Sequence, residues 1–440
     1  MIGGLLKSAS SVALFAALGL VAVAGVSPAA KAADLGGDCC ADLEERVAEL
    51  EATTARKGNR KVSLTISGQV ETALMAWDNG DRRDVYVVDV PTVGGTFFQF
   101  NGDAKINPNL SAGFLIQVGF DKGSRSHQVN EVDDDGGQAG DTSVVITLAN
   151  WYLDHKQLGR VTVGRANTAT AGITGIDLGG AGVIANVNVG YWQRSFSLTG
   201  VAGATAAWNT VLGGGTVNGS TLSRGNVINY TTPNVAGFQA AAAWGENDVW
   251  DVALRYAGEF SGVRLAAGIG YGSNLGGLGE VTADIPANAG KAVPTLLKGS
   301  ASVMHLATGL YLTGAYIRQD NDNGTPDITM YYVNGGIAKN WTGLGNTVLY
   351  GEYARVDDGV SCGAGSCQPF GGNANDLIDS SEATVWGLGI VQHIDAAAME
   401  VFLAYRNYSA SVTSAPGNDL NGKVNYNDFD VVMGGARIRF

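Results

Sequence analysis

The sequence is poor in charge: its 28 Lys and Arg and 41 Asp and Glu make up 16% of the 440 residues. A soluble protein with so little charge normally has long buried helices, and no such helical periodicity follows the N-terminal region. The formal net charge is −13. An acidic chain without a basic stripe argues against nucleic acid as a partner.

Motifs for catalysis and metal binding are missing as well. The sequence has no GxxxxGK[ST] phosphate loop, no HExxH and no GxSxG. Its four histidines (His127, His155, His305 and His393) lack metal-ligand spacing. The DNDNG run at 320–324 resembles the start of a calcium loop but lacks its distant Glu and helical flanks, so we expect a turn. We therefore expect no catalytic residues, no metal and no cofactor, and the protein is not expected to be an enzyme.

Long hydrophobic runs are absent except at the N-terminus. Lys7 precedes fifteen apolar residues, 12–26, and the small-x-small pattern of Ala30, Lys31 and Ala32 follows. The run is too short to span a bilayer comfortably, so residues 1–32 are expected to be a cleaved signal peptide, with a membrane anchor as the alternative.

A short amphipathic helix is expected in residues 33–60, which would then lie in the periplasm. Leu43, Val47 and Leu50 are spaced by four and three residues, and charged residues fill the other faces. Such a short helix is marginal alone, so it would pair with copies of itself or lie on the mouth of a barrel.

Cysteine is scarce, with four residues in the chain. Cys362 and Cys367 enclose only GAGS in a polar stretch, and a disulfide between them is favoured over free thiols in an oxidising compartment. The role of the adjacent pair Cys39 and Cys40 stays open, since a disulfide within or between chains is compatible with their position.

The C-terminal stretch alternates between two kinds of residue. Val432, Gly434, Ala436, Ile438 and Phe440 share one face, whereas the other face is lined by Val431, Met433, Gly435, Arg437 and Arg439. A period of two predicts a strand with an apolar face and a wet face. A last strand that ends on an aromatic residue is typical of outer-membrane barrels.

The same pattern recurs along residues 61–440, notably at 62–74, 250–260, 263–271 and 399–405. Short and long polar connections largely alternate, as they do in a barrel with short turns at one end and long loops at the other. The fold class predicted is all-β, a transmembrane antiparallel β-barrel of about 16 strands with a short N-terminal amphipathic helix.

The longest connection, 168–221, combines many small and apolar residues with few charges, among them Asp177 and Arg194. A loop of this length needs a function of its own, and its apolar content argues against solvated disorder. We expect it to fold into the lumen as a pore loop. The alternative is an extra hairpin, 187–199 with 204–216, in a barrel of about eighteen strands.

Three stretches carry a resemblance to a known family: DCCADLEERVAELEATTARKGNRKVSLTISGQV, GRANTATAGITGIDLGG and the aromatic C-terminal strand. They resemble the alphaproteobacterial, rhizobial-type outer-membrane porin family. Membership implies a sixteen-stranded barrel in the outer membrane of a Gram-negative bacterium, a homotrimer, and passive diffusion of small hydrophilic solutes. It also implies a third outer loop that constricts the pore, and Asp177 lies in the matching stretch.

The candidate pore residues follow from alternation, apart from Asp177 on the loop. The inward-facing charges are expected to be Glu71, Asp121, Arg255, Arg264, Glu400, Arg406, Arg437 and Arg439. Acids and bases nearly balance, so Asp177 is expected to tip the channel towards weak cation selectivity. The alternatives are a barrel that presents adhesive or receptor loops, a substrate-selective channel of eighteen strands, and a secreted all-β enzyme. Expected partners are outer-membrane lipid, lipopolysaccharide and the barrel-assembly machinery, which would read the last strand and Phe440.

Overall fold

The computed structural model describes residues 62–90, 94–121, 125–134, 143–213, 224–246, 249–273, 294–321, 326–360, 378–414 and 422–440. The expected signal peptide, the helix expected at 33–60 and all four cysteines lie outside these residues. Among the described residues, no helix is long and apolar enough to cross a membrane.

The described residues form eighteen strands in one antiparallel sheet. The strands are β1 Ser63–Asp78, β2 Arg83–Val88, β3 Phe97–Asn107, β4 Leu110–Asp121, β5 Ser143–His155, β6 Gly159–Asn167, β7 Arg224–Thr231, β8 Phe238–Gly245, β9 Trp250–Phe260, β10 Val263–Ser273, β11 Thr295–His305, β12 Leu310–Asp320, β13 Ile328–Lys339, β14 Thr347–Asp357, β15 Ile378–Ile394, β16 Met399–Ser414, β17 Lys423–Asn425 and β18 Phe429–Arg439. The short helices are 3₁₀ turns at Ile173–Gly175, Val189–Trp192 and Asp395–Ala397, and one α-helical turn at Trp208–Val211.

The sheet closes on itself because β18 pairs with β1, from Arg439 opposite Gln69 to Asp430 opposite Asp78. Both β2 and β3 pair with successive lengths of β1, so together they occupy one position in the wall. Likewise, β17 and β18 both pair with β16. The described wall therefore has sixteen positions, which confirms the predicted closed β-barrel and strand number.

The alternative with eighteen wall strands is wrong. Residues 187–213 do not join the sheet: their backbone forms a 3₁₀ turn, one α-helical turn and an isolated bridge between Ser197 and Ala207. Small residues and buried aromatic residues alternate irregularly there, which favours a compact coil over a lipid-facing strand.

The two faces of the wall differ as alternation predicts. On β18 the side chains of Val431 and Met433 are buried, whereas Ile438 and Phe440 point outward and are exposed. On β1, Leu64 and Ile66 are likewise exposed on the outer face. Large apolar residues facing outward are stable only against another apolar medium.

The interior is filled by residues 168–213, which we call the inner segment. Its side chains Trp192, Phe196 and Trp208 are almost completely buried. Phe196 packs on Trp77 of β1 and Phe429 of β18, with ring centroids 4.8 and 4.9 Å apart. Burying each such side chain contributes about 1.5–3 kcal/mol, so the inner segment is held on the wall mainly by apolar contact.

Substitutions at two adjacent glycines of β18 test the pairing of β18 with β1 that closes the barrel. A Cβ on Gly435 would lie 2.5 Å from the Thr72 carbonyl oxygen, whereas a Cβ on Gly434 would lie 3.3 Å from the Leu403 side chain and 4.0 Å from the Phe402 carbonyl oxygen. We expect Gly435→Ala to destabilise the closed barrel by about 1–3 kcal/mol because backbone must move, with Gly434→Ala as the matched control. The fraction that stays folded in unheated SDS measures the effect, and equal behaviour of the two variants would contradict it.

Candidate functional site

A carboxylate on the wall binds the backbone at the point where the inner segment enters the barrel. Asp251 of β9 accepts hydrogen bonds from the backbone N–H groups of Ala169 and Thr170, at 2.9 and 2.8 Å, and from the Thr170 hydroxyl at 2.7 Å. Arg255, four residues further along β9 on the same face, donates to the carbonyls of Ala169 and Ala171, both at 2.7 Å. These bonds satisfy backbone groups that leave the sheet, and they turn the chain inward at once.

Asp177 organises the next turn of the inner segment. Its carboxylate accepts backbone N–H groups from residues 179, 180, 181 and 182, at 2.8 to 3.1 Å. Thr313 of β12 donates to the same carboxylate at 3.4 Å. The side chain is half-buried. Asp177 thus fixes the shape of this turn through both oxygens of its carboxylate.

The middle of the inner segment rests on a buried ion pair. Arg406 of β16 donates to both carboxylate oxygens of Glu352 on β14, at 2.6 and 2.9 Å, and both side chains are inaccessible to solvent. The Arg406 guanidinium stacks 4.2 Å from the ring of Trp192 and contacts the Val189 and Ile184 carbonyls at 3.4 Å. A two-bond pair with an aromatic cover offsets the cost of removing both charges from water.

A second charged group lies near the short-turn end of the barrel. Glu400 accepts two bonds from Arg437, at 2.7 and 3.1 Å, and one from Arg439 at 2.9 Å. His393 has its Nδ1 3.8 Å from the same carboxylate and its Nε2 3.0 Å from the Gly180 carbonyl. This group therefore connects the last strand to the turn that Asp177 holds.

The structure separates the sequence-derived pore residues into two sets. Arg264 and Arg439 are exposed to the lumen, and Arg255 and Asp177 are half-buried. The other four described side chains face inward but are covered: Glu71, Glu400, Arg406 and Arg437. Asp121 ends β4, and its side chain is outside the described residues. Alternation indicates the direction of a side chain and cannot show what later covers it.

The inner segment leaves one side of the lumen largely uncovered, namely the inner face of β3 to β8, although Ala169 and Ile173 cluster with Ala241 and Ala243 of β8. This face, which we call the open wall, carries partly exposed polar side chains. On it, Arg160 pairs with Asp154 at 2.5 Å and stacks 4.3 Å from the ring of Tyr152, whose hydroxyl donates to Asp103 at 3.2 Å. None of these four residues was singled out from the sequence. Tyr152 and Asp154 lie in residues 143–155, where the pairing of β4 with β5 has a bulge between Gln117 and Val118 that interrupts the alternation.

Residues 125–134 close over the inner segment at the long-loop end. Ser126 donates to the Tyr191 carbonyl and Ser195 to the His127 carbonyl, both at 2.5 Å. His127 is buried against the Tyr191 ring, with centroids 5.1 Å apart. Burial, together with the neighbouring Arg194 and Arg125, holds the pKa of His127 well below its usual range.

Comparison with known proteins agrees with this architecture. A family model described as Gram-negative porin matches residues 16–436. Among solved structures, an anion-selective porin from Comamonas acidovorans is 15% identical, with a TM-score of 0.50 over 86% of this chain and 100% of that chain. Outer-membrane expressed OmpT of Vibrio cholerae is 13% identical, with a TM-score of 0.50 over 87% and 99%. No curated protein matches the sequence. The identities are low, so these structures support the fold alone.

Breaking the buried ion pair should loosen the inner segment. We expect Arg406→Met to cost about 3–5 kcal/mol, because Glu352 is left buried without a counter-charge, and to increase current noise through the barrel. Arg264→Met is the matched control, since its pair with Glu259 is about half exposed and worth about 0–1 kcal/mol. Thermal unfolding and single-channel current measure the two effects. Equal changes in both variants would refute the anchoring role of Arg406.

Acidification should weaken the contact between residues 125–134 and the inner segment. The packed His127 has a lowered pKa, whereas a freely solvated His titrates near about 6.5. Below that pH the opened state binds a proton that the packed state does not, so the contact loses stability as pH falls. We expect current fluctuations to rise between pH 7 and pH 5 in the wild type and to rise less in His127→Gln. The same pH dependence in both proteins would count against this linkage.

Proposed function

Because the chain belongs to the Gram-negative porin family, we propose that the inner segment is a fixed constriction through which small hydrophilic solutes are selected by size and charge. The protein is an outer-membrane β-barrel channel for passive diffusion. Passage through such a channel makes and breaks no bond, so the residues that matter are those that shape the aperture and set its field.

One observation carries the proposal: the inner segment is bonded to the wall along its length and covers only one side of the lumen. Its bonds reach β9 through Asp251, β12 through Thr313 and β16 through Arg406. The open wall, by contrast, keeps its polar side chains partly exposed. A segment tied at several points narrows a pore by a constant amount, which a freely moving loop cannot do.

Asp177 is the proposed determinant of ion selectivity. The exposed charges Arg264 and Glu259 pair with each other, as do Arg160 and Asp154. Such pairs cancel at distances longer than their separation. Asp177 has backbone partners but no cationic side chain among its described hydrogen bonds. Its carboxylate therefore keeps its net charge, which favours weak cation selectivity.

We further propose the rhizobial-type subfamily, on the three stretches that resemble it, and a homotrimer. Lipid, lipopolysaccharide and the barrel-assembly machinery are proposed partners. In support of recognition by the assembly machinery, Phe440 pairs with Gly68 of β1 through two backbone bonds, at 2.9 and 3.1 Å, and its ring is exposed on the outer face. The C-terminal aromatic thus stands at the closing edge and is accessible there.

The proposed function is tested by reversal potential across a planar bilayer in a KCl gradient. We expect stepwise conductance, with a potential that indicates weak cation preference and moves towards zero in Asp177→Asn. Asn keeps one acceptor oxygen for the turn but removes the charge. Absence of stepwise conductance would refute the channel. An unchanged potential in the variant would show that Asp177 does not set selectivity, and an anion-selective wild type would show that the wall arginines dominate.

A further inference from the structure

The side chains of the open wall are rich in carboxamides. Six amides lie on the inner face of β3 to β8, and all six are partly exposed: Gln99, Asn101, Gln117, Asn150, Asn229 and Gln239. We call this group the amide track. The pairing register places Gln99 directly opposite Gln117, and it aligns Asn101 and Asn150 across Leu115. Because direct cross-strand partners share a face, Gln99 and Gln117 are neighbours, and the other four amides lie on the same inner face of nearby strands.

Four of the six amides are oriented by the wall and keep side-chain groups that make no described hydrogen bond, although the Oδ1 atom of Asn229 is itself buried. Gln99 donates to the Ser67 hydroxyl at 3.1 Å, and Asn150 donates to the Arg165 carbonyl at 3.0 Å. Asn229 and Gln239 donate to the backbone carbonyls of Asn167 and Thr232, at 2.8 and 3.3 Å. A carboxamide has two N–H donors and one acceptor oxygen. Within the described part of the chain, none of these four side chains makes a second hydrogen bond.

Most charges beside the amide track have a polar partner close by, and Arg255, opposite Gln239, donates to the backbone of the inner segment. Asp154 and Arg160 form an ion pair, and Asp103 accepts from the Tyr152 hydroxyl. Lys105 is exposed, but it lies at the short-turn end of β3, beyond the track. A charged solute on this surface would lose part of its hydration and gain mainly neutral partners. A hydroxyl group, in contrast, both donates and accepts, as a carboxamide does, so it matches a surface that carries several carboxamides.

The opposite boundary of the lumen cannot provide such a surface. There the wall side chains are apolar or engaged, as Arg406 and Glu352 are, and the inner segment covers them. The partly exposed groups that can exchange water for a solute hydroxyl are therefore concentrated on the amide track. Groups already oriented by the wall bind with a smaller entropic cost.

We propose that the amide track is a weak binding surface for neutral polyhydroxylated solutes, that is, saccharides and polyols, which it holds during their passage. This inference rests on the proposed function, since a solute must enter the lumen to reach the track. The track makes the channel selective by hydrogen bonding among solutes of equal size, in addition to filtering by aperture.

The test uses single-channel current in symmetric KCl with raffinose as the probe. A polyethylene glycol of the same hydrodynamic size is the control solute, because its chain offers ether acceptors and almost no donors. We expect raffinose to reduce the current in a saturable manner and with excess noise. The glycol should reduce it only in proportion to the volume it excludes. Equal effects of the two solutes would overturn the proposal.

Matched variants locate the binding surface. Asn229→Leu and the double variant Gln99→Met, Gln117→Met should each weaken the raffinose effect, by about fivefold for each lost hydrogen bond. Asn226→Leu is the control, because Asn226 lies on the same strand but points to the outer face and is exposed. A change in Asn226→Leu as large as that in Asn229→Leu would refute the track as the surface.

A further variant keeps the test informative if an apolar substitution fails to fold. Gln117→Glu adds a charge on the open wall and should move the KCl reversal potential towards cation preference. An unshifted potential would show that Gln117 does not face the ion path and would overturn the track. The outcomes also separate the two proposals. Loss of stepwise conductance in the wild type refutes the channel itself, whereas normal conductance with no saturable raffinose effect refutes the amide track alone.

Discussion

This structure depends on one constraint: water must be kept away from an apolar inner wall. From β12 through β18 to β1 the inward side chains are largely those of a protein core, among them Ile317, Val356, Val385 and Met433. A wall of this kind is unstable against a water-filled lumen. The inner segment supplies the missing apolar layer, so the constriction and the stability of half the barrel have one cause.

Covering the wall creates a second requirement, because the inner segment brings irregular backbone into a space with little water. Its N–H and C=O groups need partners that a regular element would have provided. The wall supplies some of these from charged side chains: Asp251 accepts at the entry of the segment, Arg406 donates beneath its middle, and His393 contacts the carbonyl of Gly180. Inward charges of the wall are thereby engaged in anchoring, and fewer of them remain to act on a passing ion.

This division explains how far the sequence could predict the site. Alternation placed the strands, their faces and the closure at Phe440, since these follow from a local period of two. The composition of residues 168–221, which suits neither solvent nor lipid, also predicted that this stretch lies inside the barrel. Alternation could not predict that Arg406 meets Glu352, 54 residues away, or that Trp192 of the inner segment stacks on Arg406. Burial by a distant segment leaves no trace in a local pattern, and four inward charges were therefore expected in the lumen although they are covered.

The open wall shows the opposite case, because its partly exposed amides were not predicted from the sequence. Its amides carry no charge and follow no motif, so a search for charged or catalytic residues passes over them. They are nevertheless partly exposed in the lumen, where the neighbouring acids and bases are paired with one another. The formal charge of −13 therefore describes the whole chain and says little about the lumen. On one side of the lumen a solute meets the inner segment, which is fixed on an apolar wall. On the other side it meets mainly neutral hydrogen-bonding groups. Discrimination in such a channel depends on which hydroxyl, amide or ion can replace its hydration shell by those groups at the least cost.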